Sequence, residues 1–154
     1  MTLTIRAEDP HSDISKMLIE ALSADLGARY DDDGTGAFSA DDVTVDRAIF
    51  LVAFLGDEAV GCGALRPYGE DTAEIKRMYV ALSARRKGIA HQLLSALEDY
   101  AEKYAYQRII LETGTRQPEA IGLYERAGYQ RMACYGQYAD DPLSVCYEKA
   151  ISTD

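Results

Sequence analysis

The feature that most constrains the fold is the stretch from Ala73 to Ala90, where a strand-like run leads into a basic, glycine-containing helix start. Residues 73–80 (AEIKRMYV) favour an extended chain, although their charged side chains are unusual for a central strand. From Ile89 to Tyr104, apolar residues recur at helical offsets, which predicts an amphipathic helix packed on a sheet. A sheet covered by such helices is the architecture of α/β folds.

Three consecutive cations, Arg85, Arg86 and Lys87, stand directly before Gly88 at this helix start. The first N–H groups of a helix lack intrahelical partners and the helix dipole adds roughly half a positive charge, so this start predicts a phosphate-binding site. The alternative is an ordinary solvated helix start. The glycine motif of dinucleotide-binding folds and the P-loop motif are both missing, so a different phosphate ligand is expected.

The whole chain is acidic, with 16 Lys and Arg against 26 Asp and Glu and a formal net charge of −10. This field repels phosphate backbones and anionic lipid headgroups, so we expect no nucleic acid and no membrane as partners. It attracts cations, which favours a small-molecule amine substrate. The sequence leaves a homodimer open.

The length of 154 residues fits a single domain spanning residues 1–154. Residues 1–9 lack a leader pattern, and the longest apolar stretch, 48–55, is too short to span a bilayer, so we expect a cytoplasmic protein.

The chain offers few ligands for a metal ion. His11 and His91 lie in no metal-binding motif, so we expect no metal. The cysteines are odd in number and show no C-x-x-C spacing, so we expect reduced, buried thiols at Cys62, Cys134 and Cys146.

Hydrophobic periodicity predicts the order β-α-β-β-β-α-β-α-β-β in one layered α/β sheet. The acidic run Asp31–Asp33 reads as an exposed loop, with a short turn after Ser39. The first helix is expected to end at Gly27. The predicted strands are 3–7, 48–55, 59–65, 73–80, 108–113, 129–134 and 143–150, and the predicted helices begin at 14, 88 and 118.

From Ile5 to about Lys149, the sequence resembles the GNAT superfamily of acyl-CoA-dependent N-acyltransferases. The family signature [Q/R]-x-x-G-x-[G/A] is matched, after the strand end Met78-Tyr79-Val80, by Arg85, Gly88 and Ala90. The late helix pattern N-x-x-A-x-x-L-Y-x-x-x-G-F is matched by Ala120, Leu123, Tyr124 and Gly128, with Tyr129 in place of Phe and Gln117 in place of Asn.

The resemblance implies a mixed central sheet of about six or seven strands flanked by helices, with a splay between the strands at 73–80 and 108–113. It implies an N-acetyltransferase that transfers an acetyl group from acetyl-CoA to a small-molecule or amino-acid-like amine by direct attack on the thioester. Residues expected to bind the CoA moiety are Met78, Tyr79, Val80, Arg85, Arg86, Lys87, Gly88, Ile89, Ala90 and Gln117.

Within this resemblance, Glu74 is the candidate general base and Tyr124 the candidate general acid. Alternatively, Glu74 only forms an ion pair with Lys76 or an arginine, and Tyr124 is only a tyrosine of the hydrophobic core. Four further residues are candidates for binding a substrate carboxylate or aromatic group: Arg66, Tyr68, Tyr135 and Tyr138. Alternatively, they are half-exposed packing residues.

Three further alternatives stay open. The Asp31–Asp33 run is either a solvated surface or a contact for a substrate ammonium group. The acceptor is alternatively a lysine of a protein or peptide, since the acidic surface also attracts basic tails. The third alternative is a non-catalytic acyl-CoA-binding regulatory module, against which the presence of both Glu74 and Tyr124 argues.

Overall fold

Strands and helices follow one another along the chain in the predicted order. The structure, a computed structural model, describes residues 2–30 and 38–151. The run Asp31–Asp33 lies outside the described residues. The elements are β1 (Leu3–Ala7), α1 (Asp13–Tyr30), β2 (Ile49–Leu55), β3 (Glu58–Pro67), β4 (Thr72–Val80), α2 (Ile89–Lys103), β5 (Arg108–Gly114), α3 (Pro118–Arg126), β6 (Gln130–Met132) and β7 (Ser144–Ala150), with short 3-10 turns at Ala40–Val43, Leu82–Ala84 and Gly136–Tyr138.

The strands form one seven-stranded sheet in the order β1-β2-β3-β4-β5-β7-β6. Neighbouring strands are antiparallel except for β4 and β5, which run parallel. The parallel pair was expected because α2 crosses between these strands, and a parallel connection needs such a crossover. The β2–β3 hairpin turns at Gly56, whose φ of 57° lies in the left-handed region.

The parallel pair separates part of the way along the sheet, which confirms the expected splay. Residue pairs between β4 and β5 run from Thr72↔Arg108 to Ile75↔Leu111. Beyond that point β4 stays paired with β3 as far as Val80, while β5 pairs with β7. The sheet therefore opens between the two strands.

A bulge accompanies the separation. The register between β3 and β4 shifts between Cys62 and Ala64, and Arg77 has a φ of 57°, which is uncommon for a residue other than glycine. Gly63 lies opposite the bulge, where an added Cβ would come within 2.7 Å of the Met78 sulfur. A larger residue at this position would therefore force the Met78 and Leu97 side chains to shift.

The two faces of the sheet carry different cores. On one face α2 buries Leu93, Leu94 and Leu97 against β2, β3 and β4. On the other face α1 contributes Leu18 to a cluster with residues of β2 and β3. Charged β4 side chains fall in this second layer, where Glu74 is only 1% exposed.

The first helix is longer than expected. α1 continues through Gly27 to Tyr30, so the prediction that Gly27 ends it was wrong. Arg29 pairs with Glu119 at 2.6 Å and with Asp25 at 3.4 Å. These contacts stabilise the last turn, because tertiary packing contributes more to most helices than local propensity does.

The cysteines also differ from expectation. Cys134 and Cys146 form a disulfide bond, so reduced thiols at these positions were a wrong prediction. Met132 on β6 pairs with Cys146 on β7, which brings Cys134 close to its partner. Cys62 is a free, buried thiol, and burial raises its pKa to about 12.

Among the described residues, no helix combines the length and the apolar character needed to cross a bilayer.

Candidate active site

A cavity of about 1110 Å³ fills the opening between β4 and β5. Its wall is formed by the ends of the two strands, the start of α2, the last turns of α1 and the first turns of α3. Most of the residues predicted to bind a phosphate-bearing ligand line it, namely Met78, Tyr79, Val80, Arg85, Arg86, Gly88, Ile89, Ala90 and Gln117.

The start of α2 exposes main-chain groups to this cavity. Gly88 is the N-cap, with a φ of 78°, and no side chain caps the helix. An added Cβ at Gly88 would meet nothing within 4 Å, so there is space for a ligand beside the unpaired N–H groups. The Nε of Arg85 donates to the Val80 carbonyl at 2.8 Å and ties the turn to β4, whereas Arg86 and Lys87 are exposed.

Tyr124, on α3, lines the same cavity. It is 4% exposed. Its ring packs against those of Tyr129 and Tyr147, with ring centroids 5.8 Å and 6.3 Å away. Burial raises the pKa of the phenol, and the charge of Glu112 raises it further. The hydroxyl is therefore protonated at neutral pH and available as a donor.

Gln117 is the N-cap residue of α3. Its side-chain oxygen accepts a hydrogen bond from the Tyr30 hydroxyl at 3.3 Å, while its side-chain nitrogen donates no hydrogen bond to any of the residues that the structure describes. The amide of Gln117 thus keeps a donor for a ligand in the cavity.

Glu74 lines a second pocket, of about 490 Å³, that adjoins the cavity. Its Oε1 accepts from Arg66 Nε at 2.9 Å, and its Oε2 accepts from the Tyr135 hydroxyl at 2.7 Å. Arg66 also pairs with Asp42 at 2.5 Å. This carboxylate is held on both oxygens and reaches the pocket from a buried position.

The other predicted substrate residues share this second pocket. Tyr68, Tyr135 and Tyr138 line it together with Arg66, and Tyr138 lines the larger cavity as well. Burial raises the pKa of Tyr135, and the neighbouring Glu74 carboxylate adds to the increase. The structure thus divides the predicted site residues between a cavity with Tyr124 and a pocket with Glu74.

Sequence reasoning did not assign two residues that also line the larger cavity, Lys76 and Glu112. Lys76 Nζ donates to the Tyr138 hydroxyl. Glu112 accepts from Ser144 Oγ at 2.7 Å, and burial raises its pKa above the usual carboxyl range. The signal that pointed to Lys76 was charge within a central strand, whereas Glu112 becomes notable only through the opening of the sheet.

Within residues 2–30 and 38–151, no three His, Cys, Asp or Glu side chains form a group suited to a metal ion.

Comparisons with known proteins agree with this geometry. The family model described as acetyltransferase (GNAT) family matches residues 15–129. An IAA acetyltransferase of Azospirillum brasilense is 35% identical over 150 residues, which cover 97% of this chain and 98% of that protein. These matches define an acyl-group transferase, and the chain belongs to the GNAT acetyltransferase family.

Solved structures have the same architecture. A protein from Klebsiella pneumoniae described as an acyl-CoA N-acyltransferase has a TM-score of 0.82 and 33% identity, and the match covers 97% of both chains. A GNAT family acetyltransferase from Elizabethkingia anophelis, with acetyl-CoA bound, has a TM-score of 0.72 and 20% identity over 97% of this chain and 98% of that chain. At that identity the second likeness shows the fold.

Proposed function

We propose that this enzyme transfers an acetyl group from acetyl-CoA to the amine of a small-molecule acceptor. The observation that carries the proposal is the opening between β4 and β5, where the cavity extends from the α2 start to Tyr124 and adjoins the Glu74 pocket. Two connected spaces suit a reaction between a donor and an acceptor. We also propose one acetyltransferase domain over residues 1–154, because one sheet includes strands from Leu3 to Ala150.

The donor is proposed to bind along the larger cavity. The main-chain N–H groups from Arg86 to Ala90 would hold the pyrophosphate, because the helix start offers unpaired donors and an open space beside Gly88. The β4 end at Met78–Val80 would pair with pantetheine in the manner of an added strand, since β5 has left that edge. A main-chain N–H near Met78 or Tyr79 would stabilise the oxyanion.

Tyr124 is proposed to protonate the departing thiolate. Its hydroxyl has no hydrogen-bond partner among the described residues, and burial keeps it protonated. A protonated donor beside a leaving group is the arrangement that general acid catalysis requires.

Two carboxylates are proposed as candidates for removing a proton from the acceptor ammonium. Glu74 would act from the second pocket, directly or through a water. Glu112 is the second candidate, because it lines the larger cavity with Tyr124 and because burial raises its pKa, which makes its carboxylate a stronger base. Ser144 would orient its carboxylate through the 2.7 Å hydrogen bond.

The pH dependence of kcat/KM distinguishes these carboxylates. A base must be ionised, so the rate should rise with pH through its pKa. If Glu112 is the base, the rising limb lies above the ordinary carboxyl range, because its pKa is raised. Glu112→Gln should then remove this limb and lower turnover by about a hundredfold to ten-thousandfold. If Glu74→Gln instead lowers turnover by this factor, and Glu112→Gln leaves the rising limb of the pH profile in place, the base is Glu74.

Thiol release from acetyl-CoA tests the function as a whole. The panel comprises amino acids, simple amines, polyamines, aminoglycosides and lysine-containing peptides. Turnover with a small amine or amino acid supports the proposal. Turnover with peptides alone would assign the enzyme to protein or peptide lysine acetylation. Binding of acetyl-CoA without turnover of any acceptor would indicate a non-catalytic module.

A further inference from the structure

Lys76 places a positive charge at the point where the parallel strands separate. It follows Ile75, the last β4 residue that pairs with β5, and it lines the larger cavity. Its Nζ donates to the Tyr138 hydroxyl and lies 4.9 Å from the centroid of that ring. A lysine ammonium has three donors, so its contact with Tyr138 leaves two for a ligand.

The charge of Lys76 is not matched by an ion pair within the part of the chain that the structure describes. Glu112 feels this charge through space, but its carboxylate is hydrogen-bonded to Ser144 and forms no ion pair with Lys76. Because Lys76 forms no ion pair within that part of the chain and keeps two donors, an anionic group of a ligand can bind it through charge-assisted hydrogen bonds.

Arg66 is placed differently. Its guanidinium contacts two carboxylates, those of Asp42 and Glu74. A third carboxylate from a substrate would have to share that cation with both of them. Arg66 is therefore a poorer site for a substrate carboxylate than Lys76, which forms no ion pair among the described residues.

An aromatic surface adjoins the Lys76 ammonium. The rings of Tyr68 and Tyr135 meet edge-on with centroids 5.1 Å apart, and those of Tyr135 and Tyr138 with centroids 5.8 Å apart. Such a cluster offers ring faces and edges to an aromatic group. Because Tyr138 lines both spaces and also holds Lys76, the cationic and the aromatic surfaces are next to each other.

We propose that the acceptor is an aromatic α-amino acid, with its carboxylate bound by Lys76 and its side chain among Tyr68, Tyr135 and Tyr138. This inference rests on the proposed acetyltransferase function and names its acceptor class. In an α-amino acid the amine and the carboxylate share one carbon. The amine would therefore lie beside Lys76, in the opening proposed for the thioester.

Matched acceptors test the carboxylate contact. L-phenylalanine and L-tyrosine are compared with phenethylamine and tyramine, which lack the carboxylate, and with L-alanine, which lacks the ring. The unmodified enzyme should have the highest kcat/KM for the two aromatic amino acids. In Lys76→Met, kcat/KM for L-phenylalanine should fall about tenfold to hundredfold, the range for a charged hydrogen bond, mainly through KM. The ratio of L-phenylalanine to phenethylamine should fall with it.

Two variants control this experiment. Lys76→Arg keeps the charge and should retain most of the preference for the amino acid. Lys16→Met removes an exposed lysine of α1 and should leave the preference as in the unmodified enzyme. Thermal unfolding and the affinity for acetyl-CoA establish that each variant is folded.

The outcomes separate the two proposals. Equal kcat/KM of the unmodified enzyme for L-phenylalanine and phenethylamine would overturn the carboxylate contact, even if Lys76→Met did not fold. An equal loss for both acceptors in Lys76→Met would also overturn it, and equal use of L-alanine would overturn the aromatic part. If acetyl-CoA binds but no acceptor is acetylated, the proposed function itself fails.

Discussion

At the start of α2 the main chain presents unpaired N–H groups to the cavity, beside the side chains of Arg85 and Arg86, whereas around Glu74 the polar groups belong to side chains alone. The α2 start has a left-handed glycine and no side-chain cap. The second pocket depends on the Asp42–Arg66–Glu74–Tyr135 chain of contacts, which joins four separate parts of the sequence.

This difference predicts different sensitivity to mutation. A main-chain site tolerates the loss of nearby side chains, but it does not tolerate an obstruction. A network of buried charges does not tolerate the loss of one member, because the remaining charge is left without a partner. The following substitutions test this contrast and the catalytic site between the two regions.

Tyr124→Phe should have the largest effect, because it removes the proposed acid while it keeps the ring. Turnover should fall about a hundredfold to ten-thousandfold, with little change in acetyl-CoA affinity by calorimetry. Tyr100→Phe is a matched control, since Tyr100 lies on α2 and packs against Tyr104 at 5.8 Å. Full turnover by Tyr124→Phe would show that the hydroxyl has only a structural role.

Arg66→Met should destabilise the fold, because it leaves the Glu74 carboxylate buried without its cation. Breaking a buried pair in this way lowers the free energy of unfolding by about 3–5 kcal/mol, which urea unfolding would measure. Arg108→Met is the control, because the side chains of the Arg108–Glu148 pair are 42% and 37% exposed. It should cost at most about 1 kcal/mol. Equal losses would remove the contrast between buried and exposed pairs.

Gly88→Asp should weaken acetyl-CoA binding about a hundredfold or more, since a carboxylate would lie where unpaired N–H groups face the cavity. Gly88→Ala separates charge from conformation. Its Cβ would meet open space, so it should lose only about 1–2 kcal/mol from the left-handed backbone. Calorimetry would measure the affinity for acetyl-CoA, and circular dichroism would show whether each variant is folded. Unchanged affinity in Gly88→Asp would contradict the assignment of this turn as the phosphate site.

Arg86→Ala and Lys87→Ala should have the smallest effects. Both side chains are exposed, so each should weaken acetyl-CoA binding by no more than about fivefold. The difference from the unmodified enzyme should shrink as salt screens the charges. A tenfold loss in either variant at physiological salt would mean that side chains, and not the main chain, dominate this region.

The sequence determined the order of elements, the parallel pairing of β4 with β5 and the glycine at the start of α2. These features depend on local information. Helical offsets from Ile89 to Tyr104 define α2, and a helix between two strands allows them to be parallel. The phosphate-binding candidates could be predicted for the same reason, because most of them lie in one continuous stretch from Met78 to Ala90.

Only the tertiary structure decided which side chains meet. Asp42 and Tyr135 are far in the sequence from Arg66 and Glu74, and no periodicity predicts that they contact these residues. Cys134 finds Cys146 because β6 and β7 are neighbours, and α1 passes Gly27 because Arg29 meets Glu119. Periodicity records which face of an element is buried, whereas pairing across the fold depends on how whole elements pack. That packing also gives Lys76 and Glu112 a shared cavity.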